Sequence, residues 1–321
     1  MERSNGPIPA ADDRLAELLD SVESVERAFA RENYIADRAL ALTVMLAARL
    51  EKPMLLEGEA GVGKTDVAKV LTRILDTELV RLQCYEGLDV NSTVYEWNYA
   101  KQVLRIRMAE LGHEDRSAVE HTIFSDEFLL SRPLLRAIRH QGPRPPVLLI
   151  DEIDRADEEF EAFLLEVLSD YQVTIPEVGT IVAKHRPVVV LTSNRTRELN
   201  DALKRRCLYL WIDYPTPAKE REIVLRKVPG IAASLAEQIC DVMKTLRSID
   251  FYKRPGVAET LDWARALQGL GLSELESSVI EETAGCVLKY RDDVDRLRQL
   301  GGARILSGNV PEEAEGRAGW K

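Results

Sequence analysis

The segment GEAGVGKT, from Gly58 to Thr65, has the spacing G-x-x-x-x-G-K-[ST], with Gly58, Gly63, Lys64 and Thr65 in the defining places. Glycines let a backbone wrap closely enough for successive N–H groups to point at phosphate oxygens. Lys64 offers a fixed positive charge to the outer phosphates, and Thr65 offers a hydroxyl to Mg2+. Glu59, Ala60, Gly61 and Val62 complete the loop, and Asp66 follows in the first helical turn. The context supports the reading: the short apolar run PMLL precedes the motif, and the helical pattern TDVAKVL follows it. A helix that starts at the phosphate adds a favourable dipole.

A second chemical signal lies at PVLLIDEID, an apolar run that ends in Asp151 and Glu152. Carboxylates at the C-terminal end of a parallel strand sit on the ligand-binding edge of a sheet. There Asp151 can reach Mg2+ directly or through water, and Glu152 can orient or deprotonate an attacking water. Helix capping is the competing explanation. It accounts for Asp157 ahead of EEFEAFL, but not for two adjacent acids at a strand end.

These residues need a scaffold, and the pattern of the chain supplies one. Residues 12–31 and about 35–50 show apolar residues at helical spacing. Short apolar runs then recur near 53–57, 79–84, 147–150, 187–192 and 208–212, with helical stretches between them. That alternation predicts a parallel α/β sheet. SDYQVTIPEVGTIVAKHRP alternates around a turn and predicts a β-hairpin. After DYPTP the strands stop and residues 218–300 read as helices alone. The expected organisation is an N-terminal segment over 1–30, an α/β domain over 31–215, a helical domain over 216–300 and a loosely held end over 301–321.

Composition narrows the possible functions. The 321 residues are 45% hydrophobic and 30% charged, with a formal charge of −11. An acidic chain argues against non-specific binding of nucleic acid, which draws on an excess of lysine and arginine. No apolar run approaches the roughly 18 residues needed to span a bilayer. MERSNGPIPAADDR has no apolar signal core, so the expectation is a cytoplasmic protein. Cys84, Cys207, Cys240 and Cys286 form no close pair of the kind zinc sites use, and His113, His121, His140 and His185 are scattered. No metal is assigned to any of them.

Taken together, LLEGEAGVGKT, LLIDEIDRADEEFEAFLLEVLSDYQVTIPEVG and VVVLTSN resemble the AAA+ ATPases of the MoxR family. RLQCYEGLD with YEWNY is similar to the CoxD-like branch, associated with carbon monoxide dehydrogenase maturation. The resemblance covers about residues 30–300. It implies a P-loop NTPase sandwich of three layers, with a central parallel sheet in the order 5-1-4-3-2 and a C-terminal all-helical lid. It further implies ATP and Mg2+ as cofactors, a hexameric homo-oligomer, a von Willebrand A-domain partner and a client metalloenzyme such as a molybdenum hydroxylase.

The family pattern also gives roles to single residues. Asn194, at the end of RPVVVLTSN, matches the position called sensor 1; from residue type alone it could equally cap a turn. Tyr85 lies where such proteins place a pore-facing loop, and is either a client-gripping residue or a packed or merely exposed aromatic. In LKRRCLYL, alignment on the following strand puts Arg206 on the arginine that reaches the phosphate of the neighbouring subunit. Arg205 stands where relatives have an acid, so the register is open by one residue. Arg254, before Pro255, lies at or within one residue of the sensor 2 position. The expected activity is Mg2+-dependent ATP hydrolysis coupled to remodelling of a client protein. A nucleic-acid motor or loader and a nucleotide-gated assembly scaffold with little hydrolysis remain as alternatives.

Overall fold

The structure is a computed structural model and describes residues 20–112, 119 and 122–310. Positions 12–19 of the expected first helix, residues 311–321, His113 and His121 lie outside the described residues. Among the described residues the chain divides into two compact units: residues 20–32, 36–58 and 64–211 form one, and residues 33–35, 59–63 and 212–310 form the other.

The first unit is built on a five-stranded sheet made of β1 (Met54–Glu57), β2 (Leu79–Gln83), β5 (Val147–Asp151), β8 (Val188–Ser193) and β9 (Leu208–Trp211). The remaining strands are β3 (Tyr95–Trp97) and β4 (Leu129–Ser131), an antiparallel pair, and β6 (Gln172–Ile175) and β7 (Gly179–Val182), the expected hairpin. The sheet order is β2-β5-β8-β1-β9. Counted among its own five strands and read from the other edge, this is 5-1-4-3-2. Every pairing in it is parallel.

Burial follows from position in the sheet. β1 and β5 are buried along their whole length, which requires cover on both faces. The edge strands β2 and β9 alternate between inward and outward residues instead. The parallel connections must return through crossovers. The helix Lys64–Leu75 packs on β2, β5 and β8, and Arg38–Leu50 packs on β1 and β9. Local chemistry sets where these helices begin. Asp37 caps Arg38–Leu50 by accepting the N–H of Leu40 at 2.9 Å, and Asp157 caps Glu158–Asp170 by accepting that of Phe160 at 2.8 Å.

The second unit is helical over its described C-terminal part, with helices Pro217–Lys227, Ala233–Ser248, Val257–Gly269, Ser277–Glu282, Ala284–Val287, Arg291–Leu300 and Gly302–Leu306. It has its own core around Leu235, Ile239, Met243, Trp263 and Leu267. A buried ion pair crosses it. Arg247 donates to both Glu220 oxygens at 2.6 and 2.7 Å and lies over the Tyr214 ring. The loosely held end expected from residue 301 does not begin there. Residues 302–306 form a helix whose Ile305 is fully buried, because that side chain completes the apolar cluster.

Candidate nucleotide site

The sheet explains how distant residues meet. β1, β5 and β8 are adjacent and parallel, so their C-terminal ends lie on one edge. Gly58 leaves that edge from β1, Asp151 and Glu152 from β5, and Asn194 from β8. Lys64 and Thr65 open the helix that follows the loop.

Lys64 is buried, and its ammonium donates to the Gly58 carbonyl at 2.6 Å and to Asn194 Oδ1 at 2.9 Å. A buried lysine is costly unless its charge is satisfied, and here two neutral oxygens serve. Thr65 Oγ1 donates to Asp151 Oδ1 at 3.0 Å. Asp151 is 3% exposed and takes three further donors: Thr192 Oγ1 at 2.5 Å on Oδ1, and Arg81 Nε at 3.1 Å and Nη2 at 2.5 Å on Oδ2. Thr192 is central, because its hydroxyl also accepts the backbone N–H of Glu152 at 3.0 Å. One side chain thus holds both members of the acidic pair.

Glu152 has φ 55°, in the left-handed region that side chains rarely adopt. Its carboxylate is half-buried and accepts from Arg155 at 3.2 Å. Such backbone strain concentrates at sites where a side chain must be aimed. Asn194 is held from behind: Asp154 Oδ2 accepts the backbone N–H groups of Asn194 at 3.2 Å and Thr196 at 2.9 Å, and the Thr196 hydroxyl at 2.8 Å. Asp154 Oδ1 is buried with no partner among the described residues.

Glu59 to Gly63 group with the second unit. Gly61 O accepts the N–H groups of Val257 at 3.0 Å and Ala258 at 3.3 Å, at the start of the helix Val257–Gly269. The approach is close enough that a Cβ on Gly256 would meet Ala60 O at 2.7 Å and Gly61 Cα at 2.9 Å. Gly63 has φ 99°, and a Cβ there would meet nothing within 4 Å. Ala60 is half-buried and Val62 is buried. Asp66 turns to the surface, where Lys69 pairs with it at 3.2 Å. Arg254 is exposed, two residues before the cap Gly256.

Arg205 and Arg206 are exposed at the end of the helix Asp201–Arg206. Arg206 Nη1 donates to Leu165 O at 3.0 Å, and Arg205 has no hydrogen-bond or ion-pair partner among the described residues. Their position is set by the strand that follows. Leu208 pairs with Met54 and Trp211 with Glu57, so both arginines enter β9 at the sheet edge opposite the one from which Gly58 leaves. Tyr85 is 51% exposed in the loop after β2, which removes the packed alternative.

The donors suit the group that the motif implies. Thr65 and Asp151 present hard oxygens of the kind Mg2+ takes, and Lys64 presents a cation beside a glycine loop. Among the described residues no cluster of three or more His, Cys, Asp or Glu could hold a metal, and no helix is long and apolar enough to cross a membrane. Cys84, Cys207 and Cys240 are buried free thiols, each pushed up to about 12 chiefly by burial. Arg81, Thr192 and Asp154 escaped the sequence reading. The signal for Arg81 was present: VRLQ places Arg81 and Gln83 two apart on the polar face of a strand beside that of Asp151.

Residues 53–207 match the AAA domain of the dynein-related subfamily. An uncharacterized protein of Staphylococcus haemolyticus is 28% identical over 234 residues, covering 70% of this chain and 78% of that protein. One of Staphylococcus aureus is 28% identical over 228 residues, covering 69% and 77%. Among solved structures, a RuvB mutant of Thermotoga maritima is 17% identical with a TM-score of 0.46, covering 87% of this chain and 74% of that one, a likeness too low to speak of activity. The sheet order and the glycine loop that opens into a helix are those of the AAA+ P-loop fold, and residues 53–207, which carry the loop and four of the five sheet strands, match the AAA domain.

Proposed function

We propose that this chain is a Mg2+-dependent ATP hydrolase of the MoxR type that works in a ring of its own copies and remodels a client protein. One observation carries the hydrolase reading: the neighbours Lys64 and Thr65 are hydrogen-bonded to Asn194 and to Asp151 respectively, which brings three separate segments together at the C-terminal edge of the sheet. Glu152 adjoins the Thr65–Asp151 pair through Thr192.

The roles follow from the contacts. Lys64 exchanges its bonds to Gly58 O and Asn194 Oδ1 for phosphate oxygens. Thr65 and Asp151 would hold Mg2+, which would supply charge neutralisation at the outer phosphates. Glu152 accepts the proton of the attacking water, and Asn194 fixes the position of that water or of the last phosphate. Arg254 would approach the nucleotide of its own subunit. Arg206 acts on a neighbour's nucleotide. The β9 register supports this assignment, since about 10 Å of strand separates the end that Arg206 enters from the phosphate edge. Oligomerisation, as a hexameric ring, is therefore part of the reading.

The resemblance carried by LLEGEAGVGKT and DEIDRADEEFEAFLLEVL supports the remodelling role, with a von Willebrand A-domain partner and a client metalloenzyme. RLQCYEGLD and YEWNY favour a molybdenum hydroxylase such as carbon monoxide dehydrogenase as client, with the exposed Tyr85 touching it.

Steady-state ATPase assays test the catalytic assignment. Glu152→Gln is expected to bind ATP and lose turnover, and turnover close to wild type would sink it. Arg206→Ala is expected to lose about 10³-fold or more alone. Mixed with Glu152→Gln it should regain activity, because some interfaces then pair an intact Glu152 with an intact Arg206. If Arg205→Ala loses turnover while Arg206→Ala keeps it, the finger is Arg205.

A further inference from the structure

We propose that Arg81 is a built-in counter-ion of Asp151 that sets how readily the nucleotide site takes Mg2+. The inference rests on the nucleotide-site reading above.

Asp151 is a carboxylate with almost no solvent access, and a buried charge must be compensated. Its compensation is visible. A carboxylate offers about four acceptor positions, and here four donor groups use them: the Thr65 and Thr192 hydroxyls on Oδ1, and Nε and Nη2 of Arg81 on Oδ2. Only Arg81 among these carries charge. It reaches Asp151 because β2 and β5 run parallel with Gln83 opposite Asp151, so Arg81 and Gln83 lie on the face towards which the Asp151 side chain points. Gln83 Oε1 accepts the same Nη2 at 2.5 Å and steadies the guanidinium.

The sheet therefore gives Asp151 a monovalent cation before any metal arrives. Thr65 can turn its oxygen to Mg2+ and free one position on Oδ1. Arg81 occupies the other oxygen, and its charge opposes an incoming dication a few ångströms away. The Arg81 side chain is half exposed whereas that of Asp151 is 5% exposed, so the arginine can shift outward and the aspartate cannot. Arg81 thus stabilises the metal-free state and lowers the affinity for Mg2+. A residue that merely oriented Asp151 would do the opposite, and its loss would weaken Mg2+ binding.

That difference in sign is the test. Binding of a fluorescent ADP analogue to the full chain is measured in EDTA and then at rising Mg2+, for wild type, Arg81→Gln, Arg81→Met and Arg81→Lys. The two neutral variants are expected to need at least about tenfold less Mg2+ for half-maximal enhancement, while Arg81→Lys stays near wild type. They should melt below wild type in EDTA, and the gap should close with Mg2+ and ADP. A Mg2+ requirement that is unchanged or raised in a folded neutral variant overturns the proposal. Failure of wild type to bind the nucleotide with or without Mg2+ would instead overturn the nucleotide-site reading itself.

Discussion

Replacing Thr192 with valine keeps the shape of a fully buried side chain and removes one hydroxyl. In the native chain that hydroxyl donates to the buried Asp151 carboxylate at 2.5 Å and accepts the Glu152 N–H at 3.0 Å. A hydrogen bond to a charged group contributes about 1.5–3 kcal/mol, and a buried N–H left without an acceptor costs about 1–3 kcal/mol. The two effects share one site and do not simply add. A net loss of about 2–4 kcal/mol is therefore expected, which for a unit of this size lowers the melting midpoint by roughly 4–16 °C. Thr192→Ser is the control. It keeps the hydroxyl, loses one methyl group and costs about 1 kcal/mol. Urea unfolding followed by circular dichroism gives both numbers, with ATP binding measured beside it. A valine variant within about 0.5 kcal/mol of wild type would refute the claim that Thr192 ties the acidic pair together.

Three further expectations come from the same geometry. Gly256→Ala puts a methyl group against Ala60 O and Gly61 Cα, and should destabilise the helical unit by about 1–3 kcal/mol, seen as faster limited proteolysis after residue 212. Arg247→Ala strands the fully buried Glu220 and should cost about 3–5 kcal/mol in urea unfolding of that unit, with Glu220→Gln milder because its amide oxygen still accepts from the guanidinium that remains, which keeps some solvent access. Cys84, Cys207 and Cys240 have thiols raised to about 12, so at pH 8 only about one in ten thousand is thiolate. An aromatic disulfide reagent should therefore label the half-buried Cys286 first, and equal labelling of all four in the folded protein would contradict the burial.

Much of this was legible along the chain, for a local reason. The phosphate loop is contiguous, and its glycines, lysine and threonine carry their chemistry within eight residues. The five sheet strands fall within a residue or so of the expected positions, because each is a short apolar run flanked by helix. The hairpin at 172–182 was legible by alternation, whereas the β3–β4 pair, with three residues in each strand, was too short to register. The helix over 302–306 was not legible because five residues are too few to show a pattern, and the burial of Ile305 depends on packing partners elsewhere in the helical unit.

The sequence alone determined the kind of chemistry: a glycine loop with lysine and threonine, an acidic pair at the end of an apolar run, and an acidic chain ill suited to phosphate backbones. Only the tertiary structure decided the company these residues keep. Arg81 and Asp151 are seventy positions apart, as Lys64 and Asn194 are one hundred and thirty. Each pair is joined because parallel strands from separate crossovers end on one edge. Side-chain type along the chain carries no record of which strand lies beside which. That is set by how the apolar faces of all five strands are covered at once.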